Sequence, residues 1–358
     1  MGFSSMSEQA SSESVPQRHL VIRAVLRTDV GLVRSENQDF GMYTTADEEK
    51  ESHPGGRLLI VADGMGGHRG GATASRLAAE TVKAQYLGSE TRDIPSALRE
   101  SLARANARIF SEAQSNPELR GMGTTTSVLA VRGDRGWLAH VGDSRIYLVR
   151  NDEIQQLTDD HSLVATMVRE GLLTSAEAET HPRRNVLQRS MGVAEEVEVD
   201  VRGPIELHQG DTFILCSDGL HGLVKEGELK EIARKPIDAA ADEFLRKALE
   251  RGAPDNVTVI VARVEDSEDG EAGEETLVEK LDETQPLDVI DETMKITLPL
   301  PAVDVAPSSA RPPEKRSEAR PGSPLLKWIV VFALALGAAG AWFYWNHQQA
   351  IAKESSTR

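Results

Sequence analysis

The 358-residue sequence predicts an α+β fold with antiparallel sheets, followed by a C-terminal transmembrane helix. Three observations lead there. Apolar runs of strand length ("LLIVAD", "TTTSVLAV", "GWLAHVGDSRIYLV", "DTFILCSDG", "NVTVIVARV") come in pairs with short connections, which favours antiparallel pairing over a wholly parallel sheet. Other stretches carry apolar residues at helical spacing. Near the C-terminus, Trp328–Trp345 is a run of eighteen residues without a charge. As a helix that run rises ~27 Å, close to the hydrocarbon thickness of a bilayer.

In chain order, residues 1–20 are polar, with no apolar core of a secretion signal. Met6 stands where a myristoylation signal wants Ser or Thr. The segment reads as a disordered N-terminal tail. Residues 21–264 read as the globular domain. One helix is expected over Ala72–Leu87. A second follows Asp93, a plausible N-cap with Pro95 in the first turn, where Ile94, Leu98, Leu102, Ala105 and Ile109 recur at helical spacing. The lone cysteine, Cys216, sits in the apolar run "FILCSDGL". It excludes an internal disulfide, fits a reducing compartment and reads as a small core residue.

After Val264 the composition changes. Residues 265–296 hold thirteen Asp or Glu and two Lys, and residues 299–324 are rich in Pro, Ser and Arg. Neither part can bury enough apolar surface to offset ordering entropy, so 265–323 is expected to be a disordered linker. Residues 325–345 form the expected span, with Trp328 at one end and Trp342, Tyr344 and Trp345 at the other, as at a membrane interface. Arg311, Lys315, Arg316, Arg320 and Lys327 precede it, and only Lys353 and Arg358 follow. The positive-inside rule then places the domain in the cytoplasm and the tail 346–358 outside. Ala333, Gly337 and Ala341 would lie on one face of that helix, a weak signal for pairing two spans. The net charge of −17 argues against a nucleic-acid partner.

The chemistry is carried by carboxylates at strand ends. Asp63 follows "LLIVA", Asp143 follows "LAHVG", Asp218 follows "FILCS", Asp255 precedes "NVTVIVARV", and Asp39 lies in "RSENQD", just after an expected early strand. Any one could be a turn residue. As a set they imply several carboxylates meeting in a poorly hydrated place, where they would stay protonated unless a cation joined them. No His or Cys cluster with zinc spacing is present, and oxygen-only ligands favour Mg²⁺ or Mn²⁺. Two such ions bridged by one carboxylate can activate a water and clamp a phosphoryl oxygen.

The motifs "RSENQD", "VADGMGGHRGG", "MGTTTSVLAV", "HVGDSRIYLVR", "LTDDHS", "NVLQRSMG", "LCSDGL" and "PDNVTVI" occur in an order that resembles the metal-dependent protein phosphatases of the 2C type, most closely the bacterial serine/threonine branch. The match runs from about Val25 to Val264. It implies a four-layer α-β-β-α sandwich of two antiparallel sheets flanked by helices, with a centre of two Mn²⁺ or Mg²⁺ ions at one end. By the same resemblance, Asp63 would bridge the ions and the Gly64 carbonyl would bind the second. Asp218 and Asp255 would hold the first, Asp39 would hold metal-bound water, and Asp143 matches the ligand of a third metal. Arg34 matches the guanidinium that takes the substrate phosphate. Residues 163–184 occupy the place of the flap of bacterial members, read here as helix, turn and short helix. Two departures stand out. Gln38 replaces the Glu of some members, and Met65 occupies the place of the His proposed as general acid in many eukaryotic ones. His68 and His161 are alternatives for that role, although each reads more readily as structural, and Asp160, His161 and Ser162 are expected to brace the site.

The resemblance implies hydrolysis of phosphoserine and phosphothreonine in proteins, with a membrane serine/threonine kinase among the partners. A catalytically silent module reading phosphoproteins or a nucleotide is the contrasting class, disfavoured because Asp39, Asp63, Asp218 and Asp255 are all present. A regulator phosphatase acting on an anti-sigma antagonist is the alternative within the enzyme class. In the linker, Thr276, Thr284 and Thr293 each follow Glu, and phosphorylation there could dock a phosphothreonine reader, against the plainer reading of a solvated spacer.

Overall fold

Alternation along the strands points successive side chains in opposite directions, and this sets the layering. The computed structural model describes residues 20–44 and 56–266. The chain opens with β1 (Leu20–Asp29), β2 (Asp39–Tyr43) and β3 (Arg57–Met65), followed by helices α1 (Gly67–Leu87) and α2 (Ile94–Ser115). Strands β4 (Gly123–Thr124), β5 (Thr126–Arg132), β6 (Arg135–Val141), β7 (Arg145–Arg150) and β8 (Glu153–Gln156) come next. Two short helices follow, α3 (Leu163–Arg169) and α4 (Ser175–Thr180). The remainder is β9 (Asp200–Glu206), β10 (Thr212–Cys216), α5 (Asp218–His221), α6 (Glu226–Ala233), α7 (Ile237–Glu250) and β11 (Val257–Asp266).

One sheet has the order β1-β11-β10-β7-β8; the other runs β2-β3-β5-β6-β9, with β4 paired to β3. Every pairing is antiparallel. In β3, Leu58 and Ile60 face α1 and α2, while Leu59 and Val61 face the other sheet. In β10, Ile214 and Cys216 face the helical layer and Phe213 and Leu215 face the partner sheet. Cys216 is therefore a core residue, and its burial pushes the thiol up to about 12. Helix α7 buries Ile237, Ala240, Ala241, Phe244 and Ala248, one face at helical spacing, against its sheet. The result is four layers with three separate apolar interfaces.

Several expectations need correction. "GWLAHVGDSRIYLV" is two strands, β6 and β7, which belong to different sheets; Gly142–Ser144 is a crossover between layers. Strand β3 does not end at Asp63 but continues to Met65, because β4 supplies pairing partners for Gly64 and Met65. Asp39 opens β2 instead of trailing an earlier strand. Helix α1 also starts five residues before Ala72, through glycines whose low helix propensity hides the first turn in the sequence. Asp93 does precede α2, but its carboxylate accepts from the Ser96 hydroxyl instead of a backbone amide. The expected linker, span and tail after residue 266, with Thr276, Thr284 and Thr293, lie outside the described residues. Among the described residues no helix is long and apolar enough to cross a membrane.

Candidate metal centre

The two sheets bring their acidic residues to one end of the sandwich. Asp63 in β3 lies directly opposite Asp39 in β2. From the other sheet, Asp218 follows the end of β10 and Asp255 precedes the start of β11; the strands are antiparallel, so both positions fall at one edge. Asp143 lies in the crossover from β6 to β7.

Backbone ties fix these positions. The Asp63 carbonyl accepts from the Thr125 amide (2.8 Å) and the Thr124 hydroxyl (2.9 Å), and its own amide donates to Thr125 Oγ1 (3.0 Å). Ser217 joins the two sheets: its hydroxyl donates to Asp39 Oδ2 (2.7 Å) and accepts from the Thr258 amide (3.0 Å). Gly64 is required by close approach, since a Cβ there would lie 2.0 Å from the Gly71 carbonyl oxygen and 2.6 Å from that of Gln38. The Gln38 amide side chain donates to the Gly67 carbonyl (2.7 Å), so this departure from the acidic pattern ties the entry loop to the start of α1.

Burial raises all four carboxyls that lie deepest. Asp39 reaches about 7 through burial, with Asp218 and Asp255 adding repulsion against the opposing hydrogen bond from Ser217. Asp143 reaches about 8 and Asp218 about 6, each through burial first and then neighbouring carboxylates. Asp63 rises well above the usual range, through burial and the charges of Asp39, Asp218, Asp143 and Asp255. All five acids therefore share one electrostatic site. Arg34 enters it as well: Nη2 lies 2.7 Å from Asp255 Oδ2, and the charges of Asp63 and Asp218 also act on it.

The donor set fits a hard divalent ion. All five acids and the Gly64 carbonyl offer oxygen. Asp39 Oδ1 is buried with no hydrogen-bond partner, a costly state unless a water or cation is meant to meet it. Among the described residues no three His, Cys, Asp or Glu side chains enclose an ion by themselves. An ion here would draw on the Gly64 carbonyl and water and would compete with Arg34 for Asp255.

The expected bracing residues take distinct places. Asp160 holds Arg145 by contacts of 2.7 and 2.9 Å, and Ser162 caps α3 through the Ala165 amide (3.2 Å). His161 is buried, its imidazole is pushed down mainly by burial, and both ring nitrogens are engaged, by the Gly142 amide (3.0 Å) and Asp200 (3.2 Å). It is not free to act as a general acid. Nothing is described for the His68 side chain.

Sequence reasoning missed Asn256. Its side-chain amide donates to the carbonyls of Val30 and Glu36 (both 2.9 Å) and its oxygen accepts from the Gln38 amide (2.8 Å). One side chain thus shapes the loop that carries Arg34. The only sequence signal was a polar residue between Asp255 and an apolar strand.

Comparison with known proteins agrees with this geometry. The family model described as "Protein phosphatase 2C" matches residues 37–253. The chain is 38% identical over 246 residues to the serine/threonine phosphatase stp of Listeria innocua, covering 67% of this chain and 95% of that one. A crystal structure of the Mycobacterium tuberculosis serine/threonine phosphatase PstP/Ppp superposes with a TM-score of 0.61 at 36% identity, covering 68% of this chain and 99% of that one. A structure of the PstP catalytic domain in complex with two manganese ions gives 0.60 at 36% identity, covering 69% and 100%.

Proposed function

The chain belongs to the protein phosphatase 2C family, and on that premise we propose that it is a metal-dependent serine/threonine phosphoprotein phosphatase held at the inner face of a plasma membrane by residues 325–345. The observation that carries the catalytic reading is the meeting of Asp39, Asp63, Asp143, Asp218 and Asp255 with Arg34 at one end of the sandwich. The two manganese ions bound by the similar PstP domain support Mn²⁺ or Mg²⁺ as cofactor.

Asp63, the Gly64 carbonyl, Asp218 and Asp255 would hold two ions, and Asp143 a third. When bound, the ions supply a water activated for attack on phosphorus and positive charge for the phosphoryl oxygens. Asp39 Oδ1, buried and unpartnered, would accept a hydrogen bond from a water there and orient it. Arg34, more than half exposed on its side chain, can exchange Asp255 for the equatorial oxygens of a substrate phosphate. Met65 cannot donate a proton, and His161 is engaged on both nitrogens, which leaves solvent at the centre or His68 to protonate the leaving oxygen. The helix–turn–helix of α3 and α4 would act as a substrate gate.

The anchoring rests on the eighteen uncharged residues from Trp328 and on the excess of Lys and Arg before them. It would place the enzyme beside a membrane serine/threonine kinase, and phosphorylation of Thr276, Thr284 or Thr293 would recruit a phosphothreonine reader. The deciding experiment is release of phosphate from a phosphothreonine peptide by the purified chain with Mn²⁺. We expect turnover that EDTA abolishes and that Asp218→Asn removes. A wild-type protein that binds the peptide without turnover would instead mark a silent binding module. Recovery of the chain in the soluble fraction would overturn the anchor.

A further inference from the structure

The loop that carries Arg34 is clamped along its length. The Gly31 amide donates to Asp29 Oδ1 (2.8 Å) and the Leu32 amide to the Ala253 carbonyl (2.9 Å). Gly31 has φ +77°, and a Cβ there would lie 2.2 Å from the Asp255 carbonyl oxygen, so the backbone is seated on the segment that carries Asp255. Asn256 holds the carbonyls of Val30 and Glu36, one on each side of Arg34.

This firmly held loop nevertheless gives apolar side chains to water. Leu32 is 65% exposed and Val33 72%, the two most exposed large apolar side chains among the described residues. One such residue is ordinary on a surface, but two in succession on a loop without slack make a small preformed apolar surface. It adjoins the phosphate site, because Leu32 and Val33 directly precede Arg34, whose Nη2 lies 2.7 Å from Asp255 Oδ2. With consecutive α-carbons 3.8 Å apart, both residues start within about 8 Å of the Arg34 backbone. An extended peptide advances ~3.3 Å per residue, so its side chains one or two positions from a bound phosphoresidue fall at a similar distance.

We propose that Leu32 and Val33 form an apolar shelf that selects phosphoprotein segments carrying an apolar side chain within two residues of the phosphorylated one. The shelf packs that side chain while Arg34 takes the phosphate. The inference rests on the phosphatase reading and on the proposed role of Arg34. Continuity with the phosphate site identifies the occupant: a second copy or another segment of this chain seated there permanently would crowd Arg34, whereas a substrate leaves after each turnover.

The sequence itself supplies the probe, since Leu277 and Val278 follow Thr276. Three peptides of residues 271–280 carry phosphate on Thr276. The first is unchanged, the second has Leu277→Ser and Val278→Ser, and the third adds Glu274→Leu and Glu275→Val to the second, so that the apolar pair precedes the phosphothreonine. Phosphate release by the full-length chain with Mn²⁺ is compared with that of the double variant Leu32→Ser, Val33→Ser, whose fold is checked by thermal melts. We expect the wild type to turn over at least one apolar peptide with kcat/KM about five- to tenfold above the polar one, a modest value for a contact open to water on one side. The double variant should lose that preference through the apolar peptide alone, with the polar peptide within about twofold of its wild-type rate and the melting temperature unchanged. Equal rates on all three peptides in the wild type overturn the shelf, as does a preference that survives in the variant. So does a variant that melts lower, or that turns a wild-type dimer into a monomer, while keeping the preference, because the pair is then covered by the chain itself or by a second copy. Absence of Mn²⁺-dependent turnover of every peptide by the wild type is a different failure: it removes the phosphatase reading, and the shelf's substrate with it.

Discussion

Raising the pH of the metal-free protein should destabilise it, in a window fixed by its buried groups. The folded values of Asp143 (about 8) and Asp39 (about 7) lie above the ordinary 3.8. The folded state therefore keeps protons that the unfolded chain has released, and stability falls as pH rises toward those values. Two buried histidines act oppositely. His140 is lowered to about 4 and His221 to about 3, both by burial first, so the unfolded chain binds their protons and stability rises with pH up to their ordinary 6.5. Above that point only the carboxyls act. From pH 6.5 to 8, Asp143 titrates over about 1.5 units and Asp39 over about 0.5, at ~1.4 kcal/mol per unit, giving a loss of at least about 3 kcal/mol, to which the raised Asp63 adds. For a domain of this size that is roughly 5–10 °C in melting temperature. The assay is a series of thermal melts in EDTA across that range, repeated in saturating Mn²⁺. Divalent ions replace the protons, so the slope should flatten or reverse and the stabilisation by Mn²⁺ should grow with pH. A melting temperature in EDTA that stays level or climbs from pH 6.5 to 8 would refute the idea that burial, aided by their neighbours' charge, keeps these carboxyls protonated in the fold.

Three further outcomes can be checked with single substitutions. Asp218→Asn should cut phosphopeptide turnover by at least about a hundredfold while raising the EDTA melting temperature at pH 8, because it removes one of the mutually repelling charges; thermal melts beside a phosphate-release assay would expose a fall in both. Asn256→Ala leaves the carbonyls of Val30 and Glu36 and the amide of Gln38 without their partner, costing about 3 kcal/mol in urea unfolding, and it should raise KM for phosphopeptide more than it lowers kcat, since the Arg34 loop loosens. An unchanged KM would separate that loop from substrate binding. Phe244→Ala, which empties the fully buried face of α7 without touching any of the five site acids or Arg34, should cost about 3–5 kcal/mol of stability and leave kcat at low temperature near that of the wild type.

Much of this architecture was legible because strongly apolar strands announce themselves. β3, β5, β10 and β11 are buried along nearly their whole length, and each was visible as an uninterrupted run. Strands β2 and β9 lie at sheet edges and β8 at another, where few side chains are fully buried, so "DFGMY", "DVRGPIE" and "EIQQ" carry no such run. Composition cannot reveal which layer a strand joins. That β6 and β7 part company at Gly142 follows from a backbone conformation and a packing contact with Thr125, neither written locally. The acids stood out by their odd positions after apolar runs. The residues that hold them did not: Ser217 reaches Asp39 across 178 positions, and Asn256 reaches Val30 across 226. Met65 and Gln38 were noticed only as departures from a family pattern, and only the coordinates give Gln38 a partner in the Gly67 carbonyl.

The first and last strands of the domain lie side by side for ten residues, from Leu20 against Asp266 to Asp29 against Val257. The end near Val257 adjoins Asp255, so the other end stands at the far pole, some nine residue steps away, or roughly 30 Å. The described domain thus begins and ends on the side remote from the reaction mouth. Because the joins lie at that pole, a change in the length of chain before Leu20 or after Asp266 need not disturb a single side chain at the mouth.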